Sequence, residues 1–266
     1  MDKNFGIIGA GNMAKAILEG LLKKDKLNSK RVFASTKTES SLEKLKKYNI
    51  NTCLSNDYVV EHSDIVMIGV KPHMVKDVYS NLKADYSGKT FISIAAGWNL
   101  KGLSDVIGKG AKIICCMPNT PALVGEGVFG FCKNENVSDE EFEEIIDMFR
   151  AIGMPQIIDE SLMDVLGALS GAGPAFLYMM VEAMADGAVF NKMPRDMAYK
   201  LCGQLFTGVG KMVLETDKHP GELKDSVCSP GGSTIEGVKV LEEYGVRAAL
   251  INAITASCEK NKLLGK

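Results

Sequence analysis

Three small residues near the start of the chain have the spacing of a dinucleotide-binding turn. Gly9, Gly11 and Ala14 follow the apolar run Phe5–Ile8 and precede a helical pattern. In a strand–turn–helix, the first glycine permits a tight turn, the second lets the backbone approach a pyrophosphate, and the alanine allows close helix–strand packing. Free amides at the helix start can then bind phosphate oxygens. A strand–turn–helix without a ligand is the alternative. The predicted cofactor loop consists of Ile8, Gly9, Ala10, Gly11, Asn12 and Met13.

The end of the next strand favours one nicotinamide cofactor over the other. An NAD site usually places an acid about 20 residues after the glycines, where it binds the ribose 2′-hydroxyl. Here the residues are Ser35, Thr36 and Lys37, and no acid follows before Glu39. Because hydroxyl groups and a cation suit a 2′-phosphate, we expect these three residues to bind NADPH. NADH, or a solvated turn whose Lys37 binds nothing, is the alternative.

Patterns for other chemistries are missing from the sequence. The seven cysteines form an odd set without a C-x-x-C pair, which argues against a disulfide framework or structural zinc and favours a reducing compartment. We find no H-x-x-x-H, paired-carboxylate or Cys/His cluster that suggests a metal, and no G-x-S-x-G that suggests hydrolysis. We therefore predict hydride transfer without a metal.

Short β-rich runs alternate with helical patterns in the first part of the chain. The run Ile65–Ile68 is apolar at consecutive positions, as expected of a strand buried on both faces. The predicted strands are Phe5–Ile8, Arg31–Ala34, Ile65–Gly69, Thr90–Ile94, Lys112–Met117 and Pro155–Ile158, and intervening helices include Met13–Lys23, Ser40–Lys47 and Val75–Leu82. This alternation predicts an α/β Rossmann domain with a doubly wound parallel sheet.

The second part of the chain has helical periods only. Pro174 suits the first turn of a helix that runs to about Phe190. A second helix is expected near Pro194–Glu215, with apolar residues at helical spacing, and a last one at Val246–Leu264. We therefore expect a Rossmann domain over residues 1–159 and an all-α domain over residues 160–266.

The composition is that of an ordinary globular protein. Of the 266 residues, 46% are hydrophobic and 24% charged, and the formal net charge of −2 provides no broad positive surface for nucleic acid or anionic membranes. The longest uncharged run, Val165–Val181, is shorter than the roughly 20 residues of a membrane span, so we expect a buried segment of a soluble protein. No secretory pattern is visible, which favours the cytoplasm.

Several motifs together resemble one enzyme family. They are Val70–His73, Ala95–Gly97, Met117–Pro121, Leu169–Ala175, His219–Asp225 and Ser229–Gly237. In this order and spacing the chain is similar, over nearly its whole length, to 1-pyrroline-5-carboxylate reductase, and S-P-G-G-x-T-I after H-P-G-x-L-K-D is the most specific part. The resemblance implies reduction of 1-pyrroline-5-carboxylate to L-proline with NAD(P)H, the last step of proline biosynthesis. It also implies a homodimer with interlocked C-terminal domains, which in some relatives joins larger assemblies.

The resemblance implies the site residues as well. Positions matching cofactor contacts are Thr36, Asn56, Gly69, Val70, Lys71, Pro72, Ile94, Ala95, Ala96, Gly97, Asn119 and Ser226. Positions matching the substrate pocket are Glu160, Ser170, Gly171, Ala172, Gly173 and Pro174 of one chain, and Ser229, Gly231, Gly232, Ser233 and Thr234 of its partner. Ser226 and Ser233 stand where some relatives have Asn and Ala, so the resemblance supports these two assignments less.

The reaction needs few protein groups. A protonated imine is already electrophilic, so the protein mainly orients the nicotinamide over the imine carbon. The amides of Gly231–Thr234, at the start of a predicted helix, suit the substrate carboxylate, and the family pattern implies that the Thr234 hydroxyl binds the ring nitrogen. A turn followed by an N-cap is the plain structural alternative.

Two other interpretations differ in testable features. A 3-hydroxyacid dehydrogenase would carry an Asn-x-x-Lys motif on the interdomain helix, and Ser170–Phe176 is followed by none. A non-catalytic dinucleotide sensor would not need the Ser229–Thr234 segment.

Overall fold

The computed structural model describes residues 3–264, which fall into two compact units. The first comprises the chain up to Ala172 together with the segment from Ser257 onward, and the second is Gly173–Ala256. The segment between Glu160 and Ala172 thus belongs to the first unit, and the boundary we place between residues 159 and 160 remains a prediction.

Eight strands and twelve α-helices, joined in places by short 3₁₀ segments and one π-helical segment, make up the described chain. The strands are β1 (Phe5–Ile8), β2 (Val32–Ser35), β3 (Asn51–Cys53), β4 (Ile65–Ile68), β5 (Thr90–Ser93), β6 (Lys112–Met117), β7 (Gly127–Lys133) and β8 (Gly153–Ile157). The helices of the first unit are α1 (Asn12–Lys23), α2 (Glu39–Glu43), α3 (Asn56–Glu61), α4 (Val75–Ser80), α5 (Leu100–Ile107), α6 (Asp139–Arg150) and α7 (Met163–Leu166). They are followed by α8 (Gly173–Phe190), α9 (Arg195–Glu215), α10 (Pro220–Ser226), α11 (Ser233–Glu243) and α12 (Val246–Leu264).

The eight strands form one sheet in the order β3-β2-β1-β4-β5-β6-β7-β8. All neighbours are parallel except β6 and β7, which are antiparallel. The predicted doubly wound sheet is therefore confirmed, and the last two strands run against the others. The sequence patterns missed β3, a short polar edge strand, and β7, whose two glycines dilute its apolar pattern.

Alternate residues of the central strands pack into two cores, one on each face of the sheet. Ile7 and Met67 point into a core shared with α1 and α6. Their neighbours Ile8 and Ile68 point into a second core with α3, α4 and α5. Each fully buried aliphatic side chain stabilises the fold by about 1.5–3 kcal/mol. These layers hold the carboxyl ends of the parallel strands at one edge, where ligands bind in such sheets.

The second unit has a very small core. Helices α8 and α9 pack through Ala185, Ala198 and Cys202, which are its fully buried apolar residues among those described. Large apolar side chains remain exposed on these helices, including Leu177, Tyr178, Met179, Met184, Leu201, Leu205, Val209 and Met212.

The helix α8 has the predicted extent, with Pro174 in its first turn and its end at Phe190, but a further helical segment precedes it. A π-helical segment, Gly167–Ala172, joins α7 directly to α8, so Pro174 lies inside a longer helix. In the π-helical segment the backbone hydrogen bonds span five residues and not four. This wider spacing before Pro174 accommodates the N–H group that proline lacks. π-Helical turns of this kind are frequent at functional sites.

The expectation that Val165–Val181 is buried is wrong for the single chain. Leu169 is 60% and Tyr178 65% exposed. By length and composition, the helical stretch Glu160–Phe190 is apolar enough to cross a membrane: an 18-residue window within it has a mean hydropathy of 1.3, and 11% of that window is buried. Soluble proteins contain such helices as well, and the exposed apolar face needs a covering surface.

Candidate active site

The loops after β1 and β4 are in close backbone contact. Gly9 has a φ of 84°, which favours glycine, and its amide donates to the Ser35 carbonyl at 3.0 Å. Gly69 donates to the Ile8 carbonyl at 2.8 Å. A Cβ atom on Gly69 would lie 2.4 Å from the Gly9 carbonyl oxygen and 2.7 Å from the Cβ of Ala14. Small residues are therefore required where these loops cross.

The start of α1 is an open anion site. Gly11 occupies the N-cap in an extended conformation, so no side chain caps the first amides, and the first turn carries no acid. Those amides and the positive end of the helix dipole stabilise a negative group. Ala14 behind them is buried against the core. The predicted loop from Ile8 to Met13 thus fits a pyrophosphate.

The end of β2 combines two buried hydroxyl groups with an exposed cation. Ser35 is fully buried, and its Oγ donates to Oδ1 of Asn56 at 2.7 Å. Thr36 is 8% exposed and donates to the Thr38 carbonyl at 3.0 Å. Lys37 is exposed and makes no ion pair with any described residue. The structure thus brings Ser35 and Asn56 together, and Lys37 remains available to a ligand phosphate.

Trp98 links the loops after β4 and β5. Its indole Nε1 donates to the Pro72 carbonyl at 2.9 Å, which ties the predicted Gly69–Pro72 segment to the Ile94–Gly97 segment. Lys71 is exposed, whereas Ala95 is 8% exposed. The sequence patterns did not single out Trp98, although it is the only tryptophan and directly follows a predicted loop.

A cavity of about 630 Å³ continues from these loops past the ends of β5 and β6. Its lining includes Gly97, Cys115, Glu160 and Lys262. One carboxylate oxygen of Glu160 accepts a hydrogen bond from the Leu100 amide at 2.5 Å, at the first residue of α5. The predicted Glu160 is therefore held in place beside the Ile94–Gly97 loop.

Asn119 connects the end of β6 to the π-helical segment. It is 5% exposed, its Nδ2 donates to the Ser170 carbonyl at 3.1 Å, and its Oδ1 accepts from the Val128 amide at 2.9 Å. Ser170 in turn donates to the Leu166 carbonyl at 2.9 Å. Asn119, Ser170 and the adjacent Gly171 and Ala172 thus form one supported cluster.

The remaining predicted residues lie in the second unit. Gly231 has a φ of 67°, and Gly232 donates to the Ser229 carbonyl at 3.0 Å, which forms the turn before α11. Gly232 is the N-cap of α11 and lacks a capping side chain. Thr234, in the first turn, is exposed, and its hydroxyl has no hydrogen-bond partner within residues 3–264. This helix start thus offers uncapped amides to an anion, although its first turn, unlike that of α1, carries an acid, Glu236.

Three predicted residues of the second unit have less distinctive surroundings. The Ser226 hydroxyl donates to the Leu223 carbonyl at 2.7 Å, within its own helix. Gly173 and Pro174 lie half-buried in α8.

The sheet, the crossing loops and the uncapped α1 together define a nicotinamide-dinucleotide-dependent oxidoreductase. In agreement, a family model described as an NADP oxidoreductase, coenzyme F420-dependent, matches residues 4–97. A second model, described as pyrroline-5-carboxylate reductase dimerisation, matches residues 160–264.

Relatives in three lineages have the same name as the second model. The pyrroline-5-carboxylate reductase of Escherichia coli is 42% identical over 268 residues, covering 100% of both chains. That of Pisum sativum is 39% identical over 260 residues, covering 97% of this chain and 95% of the relative. A crystal structure of Plasmodium falciparum pyrroline carboxylate reductase with NADP bound aligns with a TM-score of 0.92 at 34% identity, covering 100% and 99% of the two chains.

The chain belongs to the pyrroline-5-carboxylate reductase family. It is an NAD(P)H-dependent reductase that converts 1-pyrroline-5-carboxylate to L-proline. The interpretations as a 3-hydroxyacid dehydrogenase and as a non-catalytic sensor are therefore set aside.

Proposed function

We propose that NADPH is the physiological hydride donor and that it lies along the carboxyl ends of β1, β2, β4 and β5. NADPH, when bound, supplies the hydride that reduces the imine carbon. The observation that carries the choice is the end of β2, where Lys37 is exposed and the sequence has no acid before Glu39. The relative from Plasmodium falciparum with NADP bound supports this choice.

The start of α11 is proposed to bind the substrate. Its uncapped amides suit the carboxylate of 1-pyrroline-5-carboxylate, and glycine at 231 and 232 allows the backbone to approach a five-membered ring. The free hydroxyl of Thr234 would then bind the ring nitrogen. Ser170, Gly171 and Ala172 on the supported π-helical segment would complete the pocket from a different chain.

The homodimer is proposed from the exposed apolar surface of α8 and α9. Monomeric soluble proteins rarely expose such large contiguous apolar patches, and three buried apolar residues cannot stabilise a unit of this size. Interlocking with a partner's helices would bury the patch, including the apolar Glu160–Phe190 stretch. The seven cysteines are free, which fits the reducing cytoplasm.

Cofactor choice is tested by steady-state kinetics with both nicotinamides. Lys37→Ala is expected to raise the KM for NADPH about tenfold, since a lost charge-assisted bond to a phosphate costs about 1.4 kcal/mol. The KM for NADH should not change. Lys26→Ala, an exposed lysine at another site, is the control. A wild-type preference for NADH, or equal effects of Lys37→Ala on both cofactors, would contradict the proposal.

The dimer is tested by sedimentation equilibrium. Leu205 on α9 is 49% exposed, and Leu205→Asp would place a charge inside the proposed interface, shifting the mass toward the monomer. Lys26→Asp, which places the same acidic residue on the surface of the first unit, should leave the dimer intact. A monomeric wild-type chain at micromolar concentration would refute the assembly.

A further inference from the structure

Two cysteines and a glutamate from separate elements meet beside the cavity. Cys115 lies on β6, Cys132 on β7, and Glu160 follows β8. The two sulfur atoms and one carboxylate oxygen all lie within 4.8 Å of one another. Sequence spacing did not indicate this group, because the antiparallel pairing of β6 with the unpredicted β7 creates it.

We propose that Cys115, Cys132 and Glu160 form a binding site for a thiophilic divalent cation of the Zn²⁺ type. Thiolate sulfur and carboxylate oxygen are both ligands of Zn²⁺, and water can take the fourth position. Tetrahedral coordination at about 2.3 Å places two sulfur ligands about 3.8 Å apart, and the three donor atoms here lie within 4.8 Å of one another.

Strand register favours a cation over a disulfide. Cys115 and Cys132 are directly opposite each other on antiparallel strands. The Asn134 amide bonds the Ile113 carbonyl at 3.0 Å, so by alternation the Cys115–Cys132 pair is also of the hydrogen-bonded type, with Cα atoms about 5.5 Å apart. Side chains at such pairs stand further apart than the roughly 3.8 Å between Cβ atoms that a disulfide prefers. A bridging cation spans this gap.

The surroundings of the cluster support its ligands. The Glu160 carboxylate is fixed by the Leu100 amide, and the Cys115 thiol contacts the Trp98 carbonyl at 3.8 Å. Such outer contacts orient metal ligands. Cys115 and Glu160 line the cavity, so an ion has a path from solvent.

The hydrogen bond with Cys132, together with burial, raises the pKa of the Cys115 thiol well above its usual range. Cysteine ligates Zn²⁺ as the thiolate, so each ligand that arrives as a thiol releases its proton to the solvent when the ion binds.

The position predicts an effect on turnover. The same cavity is lined by Gly97 and Trp98 of the proposed cofactor cleft. A bound cation would restrict the space beside the nicotinamide, so micromolar Zn²⁺ is expected to inhibit the reductase. This last step, unlike binding itself, rests on the proposed cofactor position.

Co²⁺ is the probe for binding, because thiolate ligands give it an intense near-ultraviolet charge-transfer absorption. The reduced full-length chain is titrated with Co²⁺ and then with Zn²⁺ as competitor. Wild type is expected to bind a single ion per chain with this band. Cys115→Ala and Cys132→Ala should each weaken binding more than about tenfold. Cys116→Ala is the matched control, since Cys116 is equally buried at 5% exposure but points into the opposite core.

Three results would overturn the site. They are the absence of the charge-transfer band in wild type, an unchanged band in both cysteine variants, or an equal loss in Cys116→Ala. If an alanine variant fails to fold, Cys132→Ser decides the question, since serine keeps the size of the side chain but removes the sulfur ligand and should likewise weaken binding more than about tenfold. Turnover in chelator is measured in parallel. If the chain is active in chelator but gives no charge-transfer band with Co²⁺, the cation site alone is refuted. If the chain gives the band with Co²⁺ but has no reductase activity in chelator, the proposed function alone is refuted.

Discussion

Gly69 and Gly11 lie close together, yet the structure assigns them different roles. A Cβ atom on Gly69 would overlap the Gly9 carbonyl oxygen at 2.4 Å and the Cβ of Ala14 at 2.7 Å. None of these atoms can rotate away, so Gly69→Ala must separate the loops. A Cβ atom on Gly11 would lie 3.4 Å from the Gly69 carbonyl oxygen, an ordinary contact. The first substitution should therefore damage packing and the second ligand binding.

The expected magnitudes follow from these distances. Overpacking of a rigid contact costs about 2 kcal/mol, which lowers the Tm of a chain this size by about 5 °C. Gly11→Ala loses at most about 1 kcal/mol, because alanine is a poorer N-cap than glycine. Its methyl group stands beside the open amides of α1, however, and should weaken NADPH binding at least about tenfold, or 1.4 kcal/mol.

Two measurements separate the roles. Thermal unfolding without cofactor reports packing, and a fluorescence titration with NADPH reports binding. Gly110→Ala serves as a further control, because no atom would lie within 4 Å of its added Cβ. A larger loss of Tm in Gly11→Ala than in Gly69→Ala, or wild-type NADPH affinity in Gly11→Ala, would refute the reasoning.

Three further predictions concern single side chains. Thr234→Ala should lower kcat/KM for the imine at least about tenfold without changing the Tm, whereas Thr234→Ser should restore most activity; full turnover by the alanine variant would remove this hydroxyl from the mechanism. Trp98→Phe loses one hydrogen bond worth about 1 kcal/mol and should raise the KM for NADPH several-fold. An unchanged KM would show that other contacts hold the loops after β4 and β5 together. Burial raises the pKa of Glu141, but hydrogen bonds from Lys112 and Thr90 outweigh it and hold that pKa below the usual 4.5. The ionised carboxylate therefore stabilises the fold above about pH 4.5, and the advantage of wild type over Glu141→Gln in urea unfolding should shrink as pH falls through the folded-state pKa. A difference that stays constant between about pH 7 and pH 3 would contradict this account.

The sequence predicted well those strands and helices whose residue pattern depends only on neighbours along the chain. The strand β6 and the helix α12 have the predicted bounds, because continuous apolar runs and helical periods depend on neighbouring residues. The strand β7 was missed because its glycines are tolerated only through pairing with β6 and β8. The helix from Pro174 to Phe190 was predicted, but the π-helical segment before it was not, because such a segment depends on tertiary support, including the contact between Asn119 and Ser170.

The residues of the candidate site also fall into those that local spacing predicted and those that it could not predict. The α1 loop follows from three small residues at fixed spacing, and the structure places them as predicted. The substrate segments were found through family resemblance, because a turn before a helix carries no substrate information by itself. The Cys115–Cys132–Glu160 group could not be predicted locally, since it depends on sheet order.

Because the core of the second unit is small, the stability of the proposed homodimer should depend on protein concentration. In the proposed homodimer, a unit with three buried apolar side chains would gain most of its stability when the other copy covers α8 and α9. Its Tm should then rise with concentration, as for any fold coupled to association by mass action. Dilution for a kinetic assay would remove that stabilisation, so the enzyme should lose activity over time in dilute solution and be robust at the concentration found in a cell.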